Sequence, residues 1–178
     1  GLKFQVPVPL NDKDSVISAS EAIGNGAIPS DSPNNEEWTM SETVKRRLEH
    51  IKPWENVWNA DLPDELKLNV KGAKLSQIYR RLHPDKPSYT ITGSGGGGTH
   101  GYHYEEPRPL TNRERAKIQT FPNNYTFAGN RSSVRKQIGM AVPPQLAKVI
   151  FTSILKTLVG KKYKSISPNL EKLTLDLF

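Results

Sequence analysis

Two adjacent arginines, Arg80 and Arg81, run into Leu82-His83-Pro84-Asp85-Lys86-Pro87 and are the side chains here best suited to hold an anion. A guanidinium fork pairs bidentately with a phosphate or with the edge of a guanine, and a lysine such as Lys86 adds a point charge. Without further context, two solvated arginines remain the competing reading. A glycine-rich loop follows, Gly93-Ser94-Gly95-Gly96-Gly97-Gly98-Thr99-His100-Gly101-Tyr102-His103-Tyr104. It formally contains G-x-G-x-x-G at Gly93, Gly95 and Gly98, but pyrophosphate binding needs a helix to open there, and Thr99-His100-Gly101 does not start one. No Gly-Lys-Ser/Thr is present either, which excludes a nucleotide P-loop. What remains is a flexible linker or a backbone that must approach a partner closely, since glycine presents no Cβ. His100 and His103 lack the Cys or His–carboxylate company of a metal site, so no metal is expected and both are read as surface or nucleic-acid-contacting histidines. The chain has no cysteine. That removes disulfides, thiolate metal sites and a thiolate nucleophile. No residue is assigned a catalytic role.

Charge narrows the partner. Residues 1–66 hold 6 Lys/Arg and 12 Asp/Glu, a net of −6, and residues 67–178 hold 19 and 6, a net of +13. Basic side chains that neutralise phosphates release counterions, so a nucleic acid is one reading of the second part and a solvated basic face is the other. Trp54 and Trp58, with Tyr79, Tyr89, Tyr102 and Tyr104, have the types that stack on bases, yet the tryptophans are expected in a core. Apolar residues make up 35% of the 178, and 13 Gly with 14 Pro imply many turns, which argues against an all-helical bundle. No apolar run is expected to cross a bilayer, and Gly1-Leu2-Lys3-Phe4 has no secretory pattern, so the expectation is a cytoplasmic protein.

These side chains must be held by elements that the sequence also signals. Residues 1–38 read as loop, with a capping box at Ser18-Ala19-Ser20-Glu21 that could start a short helix. Thr39-Met40-Ser41-Glu42 has the same spacing, and Met40, Val44, Leu48 and Ile51 recur at helical period, which predicts a helix over 40–50 ended by Pro53. Residues 54–92 read as short strands and loops, with Ser88-Tyr89-Thr90-Ile91-Thr92 the strand candidate. Thr111-Asn112-Arg113-Glu114 is a third capping box, opening a helix that Phe121-Pro122 stops near Thr120. From Pro143-Pro144 an apolar stripe of Leu146, Val149, Ile150, Ile154, Leu155 and Leu158 predicts a helix capped by Gly160.

Two blocks resemble a known family. Arg108-Pro109-Leu110-Thr111-Asn112-Arg113-Glu114-Arg115-Ala116-Lys117-Ile118-Gln119-Thr120-Phe121-Pro122 is similar to the ninth conserved motif of DNA cytosine-5 methyltransferases, and Gln137-Ile138-Gly139-Met140-Ala141-Val142-Pro143-Pro144 to the tenth. They stand in the family's order, and weaker similarity extends upstream through the glycine loop to Gly1-Leu2-Lys3-Phe4. Glu55-Asn56-Val57 spells a catalytic signature of the family, but it lacks the flanking motifs and is read as coincidence.

The resemblance implies an α+β chain: a small β-rich target recognition domain with short helices, plus a C-terminal helix that packs on a Rossmann-like catalytic domain absent from this chain. The expected divisions are a loop-rich connection over 1–38, a target recognition domain over 39–136, the tenth motif and returning helix over 137–160, and a tail over 161–178. The implied function is DNA reading for an S-adenosylmethionine-dependent methyltransferase of restriction-modification type, which flips its target cytosine out of the duplex and attacks it with a cysteine thiolate. Without cysteine, the chain alone is expected to be inactive and to need an N-terminal catalytic portion or subunit. The alternative is a stand-alone DNA-binding module or the non-catalytic subunit of a split enzyme, and an RNA-directed relative is a third reading. Expected DNA-binding residues are Arg80, Arg81, Lys86, Thr90, Thr92, Ser94, Gly95 and Gly96. The resemblance sets Met140 and Val142 at the cofactor, with Met140 standing where the family has Asn. It gives Arg113, Glu114, Gln137 and Gly139 structural roles, the first two tying the recognition domain to its neighbour.

Overall fold

Side-chain caps fix where the helices start. In the computed structural model, which describes residues 2–11, 15–70, 72, 75–93 and 98–166, α1 (Ala19–Ile23) and α3 (Asn112–Ile118) each begin with a complete capping box, Ser18 with Glu21 and Thr111 with Glu114. The second expected box does not form. The cap of α2 (Glu42–Glu49) is Ser41, whose hydroxyl accepts from the Val44 N–H at 3.4 Å, so Thr39 lies outside the helix. A helix that the periodicity did not predict, α4 (Arg131–Met140), starts at Asn130, whose side chain accepts from the Ser133 N–H at 2.9 Å. Pro144 opens α5 (Pro144–Leu158) at a position where its missing N–H costs nothing.

Helices α3 and α5 end in one motif. Gly160, at φ +68°, follows the Val159 cap of α5, and the Lys161 N–H returns to the Lys156 carbonyl at 2.8 Å. In α3 the same left-handed position is held by Thr120 at φ +67°, with the Phe121 N–H bonded to the Ala116 carbonyl at 2.8 Å. Both are Schellman closures.

The chain divides into one unit of residues 1–15 and 142–178 and another of residues 16–141. In the first, β1 (Val6–Pro7) pairs antiparallel with β2 (Ser165–Ile166), Val6 opposite Ile166 and Pro7 opposite Ser165. The Tyr163 hydroxyl locks the pair by accepting from the Gln5 N–H and donating to the Gln5 carbonyl, both at 2.9 Å. Helix α5 buries only Ser153, while Leu146, Phe151, Leu155 and Leu158 are 51–64% exposed. By length and composition alone the stretch Arg131–Leu158 would pass for a membrane span. It is two helices broken at Ala141, where the backbone turns extended, and neither of the 10 and 15 residues reaches the roughly 20 that a bilayer needs.

The second unit has two apolar clusters. Ala19, Ile23, Leu82, Ile91, Leu110, Ala116, Phe127, Val134 and Ile138 form one, and Leu48, Ile51, Val57, Leu62, Ile78, Tyr79 and Tyr102 form the other. A β-rich domain is not what they hold together. Among the described residues of this unit the β pairings are isolated bridges, Arg81 with Tyr102 and Tyr102 with Pro109. Ser88–Thr92 keeps the alternation that suggested a strand, Ile91 buried and Thr90 and Thr92 exposed, but no neighbouring strand completes a ladder. Residues from 16 onward belong to this unit and are laced into it rather than lying outside as a connection. The Ala19 N–H bonds the Lys86 carbonyl at 2.9 Å, and Asn34 exchanges hydrogen bonds with the Phe127 backbone at 3.0 and 3.2 Å.

Candidate nucleic-acid interface

The pair Arg80-Arg81 separates because successive residues of an extended chain face opposite ways. Arg81 turns inward and is 6% exposed. Its Nε donates to the His103 carbonyl at 2.9 Å, Nη1 to the Ile51 and Leu48 carbonyls at 2.7 and 3.3 Å, and Nη2 to the Tyr104 carbonyl at 2.8 Å. Burial holds its pKa below the usual arginine value. The expectation that Arg81 contacts DNA is therefore corrected: its fork clamps two backbone segments, 48–51 and 103–104, and is spent.

Arg80 turns outward. Its guanidinium carbon lies 4.5 Å from the centre of the Trp54 ring and 5.2 Å from that of Tyr89. Lys86 Nζ stands 5.0 Å from the same indole. Neither cation forms an ion pair among the described residues. Trp54 is held at φ +71°, a conformation that costs a bulky residue of order 1–3 kcal/mol and clusters at functional sites. It is not the core residue the sequence suggested but a half-buried platform under two cations. Trp58 does pack against a core cluster. The composition of 54–58 alone did not separate these roles; the left-handed backbone at Trp54 does.

Tyr89 joins this platform to a cleft of about 420 Å³ lined by Ser76, Gln77, Thr90, Thr92, Thr99 and Arg115, among others. The exposed threonines 90 and 92 thus sit on one wall. Ser94, Gly95 and Gly96 lie outside the described residues. Gly93 and Gly98, which flank them, both need their lack of a side chain. A Cβ on Gly93 would stand 2.8 Å from the Lys136 carbonyl oxygen, and Gly98 has φ +97°.

His100 and His103 were expected at the surface or against nucleic acid. His103 is instead 5% exposed, its Nδ1 accepting from the Glu105 and Glu106 N–H groups at 3.1 Å each. Burial pushes its pKa down, against the pull of Glu114. His100 is half-buried and its Nδ1 meets Arg135 Nη1 at 2.8 Å. Burial, then the charges of Arg135 and Arg115, lower its pKa to about 4. It is the neutral acceptor of that bond.

Arg113 is fully buried and donates to the Pro33 carbonyl at 2.8 Å, to the Pro122 carbonyl at 3.0 Å and to the Tyr125 carbonyl. Glu114 takes both ends of the Arg108 fork at 2.8 and 2.9 Å and closes the α3 capping box. Both sets of bonds lie within residues 16–141, so in this structure they bind that unit to itself rather than to a neighbour. Gln137 donates to the Ala128 carbonyl at 2.8 Å, and Gly139 meets Thr92 and Gly93 at backbone contact. Met140 and Val142 are 71% and 62% exposed and offer only carbon and sulfur.

Residues 3–156 match the model of the family described as C-5 cytosine-specific DNA methylase. The type II methyltransferase M.BbvI of Brevibacillus brevis is 56% identical over 164 residues, which cover 92% of this chain and 43% of that protein. M.NgoFVII of Neisseria gonorrhoeae, another type II methyltransferase, is 43% identical over 87% of this chain and 42% of its own. The DNA (cytosine-5-)-methyltransferase M.ApeKI of Aeropyrum pernix is 46% identical over 66% of this chain and 24% of its own. In fold, the chain is similar to a crystal structure of a DNA modification methyltransferase encoded within an E. coli prophage, with TM-score 0.53 and 23% identity over 71% of this chain and 29% of that one. The chain spans less than half the length of these relatives.

Proposed function

The chain belongs to the C-5 cytosine-specific DNA methylase family, and from that premise we propose that it is the part of such an enzyme that reads duplex DNA and returns a helix to the catalytic portion. The observation that carries the reading is the outward pair Arg80 and Lys86 on Trp54, unneutralised by any described carboxylate and continuous through Tyr89 with the Thr90–Thr92 cleft. Phosphate contacts from the cations would set register, and the threonine hydroxyls beside the glycine loop would meet base edges.

Methyl transfer to C5 of cytosine requires that C6 first be attacked by a thiolate, and this chain has no cysteine. Its part is therefore to bind and orient the duplex, while a Pro-Cys-bearing polypeptide supplies the nucleophile. S-adenosylmethionine supplies the methyl group when bound. Met140 and Val142 fit an apolar wall for it and no polar contact, since neither side chain has a hydrogen-bonding nitrogen or oxygen. The exposed face of α5, with Phe151 64% and Leu155 62% exposed, supports a docking role over a stand-alone module, which would bury that face.

Methyl transfer measured for the chain alone, and again with a polypeptide carrying the Pro-Cys motif of a close relative, tests the division of labour. We expect activity only in the mixture, and Leu155→Glu to abolish it while duplex binding persists. Robust transfer by the chain alone, or preference for RNA over duplex DNA in competition, sinks the reading.

A further inference from the structure

Five arginines are buried among the described residues. Four of them have protein partners. Arg47 donates to the Leu66 carbonyl at 2.7 Å and the Tyr79 hydroxyl at 3.3 Å, Arg81 and Arg113 hold backbone carbonyls, and Arg135 faces His100 and lies 5.4 Å from the Trp38 ring. The fifth, Arg115, is 2% exposed, and its Nε and Nη2 have no hydrogen-bond partner among the described residues. Those two nitrogens form the side-on edge of the guanidinium, the edge that grips two oxygens of one anion. Leaving that edge of a buried guanidinium open is expensive, and an ordered water or an anion is what can close it.

The surroundings say what would complete it. Arg115 lines the cleft that also holds Thr90, Thr92, Thr99 and His100. Burial and then the charge of Arg135 lower the Arg115 pKa to about 10, so a second cation acts on the same spot. The carboxylate that acts on it, Glu114, does so more weakly than Arg135, Tyr89 or Tyr102, and is already held by both ends of the Arg108 fork. The cleft is thus cationic at its floor and hydroxyl-bearing at its wall. Helix α3 places Arg115 there because its neighbours Arg113 and Glu114 face other partners, and the sequence marks it only as one more arginine in a basic helix.

We propose that Arg115 is the floor of a phosphate pocket, its Nε and Nη2 donating to the oxygens of one phosphodiester of the bound DNA strand. The assignment rests on the DNA-reading role above and adds to it a buried anchor point, distinct from the surface cations Arg80 and Lys86.

The test uses the intact chain and duplexes carrying single neutral methylphosphonates. For the wild type, one position should weaken binding roughly tenfold or more, as the loss of a charged hydrogen bond does. Arg115→Met should bind the natural duplex more weakly by a similar factor. It should lose sensitivity at that position, and its log–log salt slope should shrink by about 0.9. Arg80→Ala should keep that sensitivity. If Arg115→Met does not fold, the wild-type Arg115 Nε–H resonance answers instead: it should move on addition of inorganic phosphate at constant ionic strength. Wild-type affinity and salt slope in Arg115→Met, or an Nε–H resonance that ignores both phosphate and duplex, overturns the proposal. A chain that binds no duplex yet shows the phosphate shift overturns the DNA-reading role and the phosphodiester source, and leaves a pocket for free phosphate.

Discussion

Gly139 of α4 and Gly93 touch backbone to backbone: a Cβ on Gly139 would run into the Gly93 nitrogen and the Thr92 carbonyl carbon. That contact seats the cleft wall at Thr92 on the tenth-motif helix. Gly139→Ala should gain about 1 kcal/mol of helix propensity and lose more, about 3 kcal/mol, to the clash, because the obstacle is main chain that cannot rotate away. Chemical denaturation should show a net loss of about 2 kcal/mol. Gly93→Ala, 2.8 Å from the Lys136 carbonyl oxygen, should cost less. A neutral Gly139→Ala would refute the contact.

The separation of Arg80 from Arg81 predicts opposite phenotypes. Arg81→Met strands the carbonyls of Leu48, Ile51, His103 and Tyr104 and should cost about 3 kcal/mol or more. Arg80→Ala loses a cation–π contact of about 1 kcal/mol or less, yet should weaken duplex binding and flatten its salt dependence. Denaturation and binding on the two variants check this, and equal destabilisation by both would be the wrong answer.

Thr120 occupies a left-handed position that Gly160 occupies in the matching closure of α5. A β-branched residue pays for that conformation, so Thr120→Gly should stabilise the protein by about 1 kcal/mol. A thermal melt that falls instead would mean that the threonine side chain contributes more than its backbone costs.

His100 is neutral in the folded state, its pKa lowered from 6.5 to about 4. The unfolded chain protonates it first as pH falls. Its contribution to stability is therefore complete above pH 6.5 and lost as pH drops toward about 4. Carboxylates titrate in the same range, so the informative quantity is a difference. Between pH 7 and 5 the wild type should lose more melting temperature than His100→Gln, and parallel losses would exclude this histidine as the source.

Local signals read best where one residue type has one physical use. Ser18, Thr111 and Pro144 were legible as helix starts because a hydroxyl at an orphan N–H and a proline in a first turn have few other roles. Thr39 misled because Ser41 offers the same hydroxyl two residues later. The alternation of 88–92 was real, but alternation reports faces, and a strand also needs a neighbour. Arg80 and Arg81 are identical in type, and only the packed structure tells which one is consumed by carbonyls. Arg115 and the Trp54 platform were hidden for the same reason: burial without a partner and a left-handed backbone leave no mark on composition.

Strand β1 lies at residues 6–7 and its partner β2 at 165–166, whereas residues 16–141 form an unbroken stretch. On a ribosome the two units therefore mature in a fixed order. The segment holding Arg80, the cleft and Arg115 can complete its contacts while β1 still waits for a partner not yet synthesised. Premature termination anywhere between Met140 and Ser165 would release a chain whose cationic cleft is finished and whose strand at Val6–Pro7 lacks its partner at Ser165–Ile166.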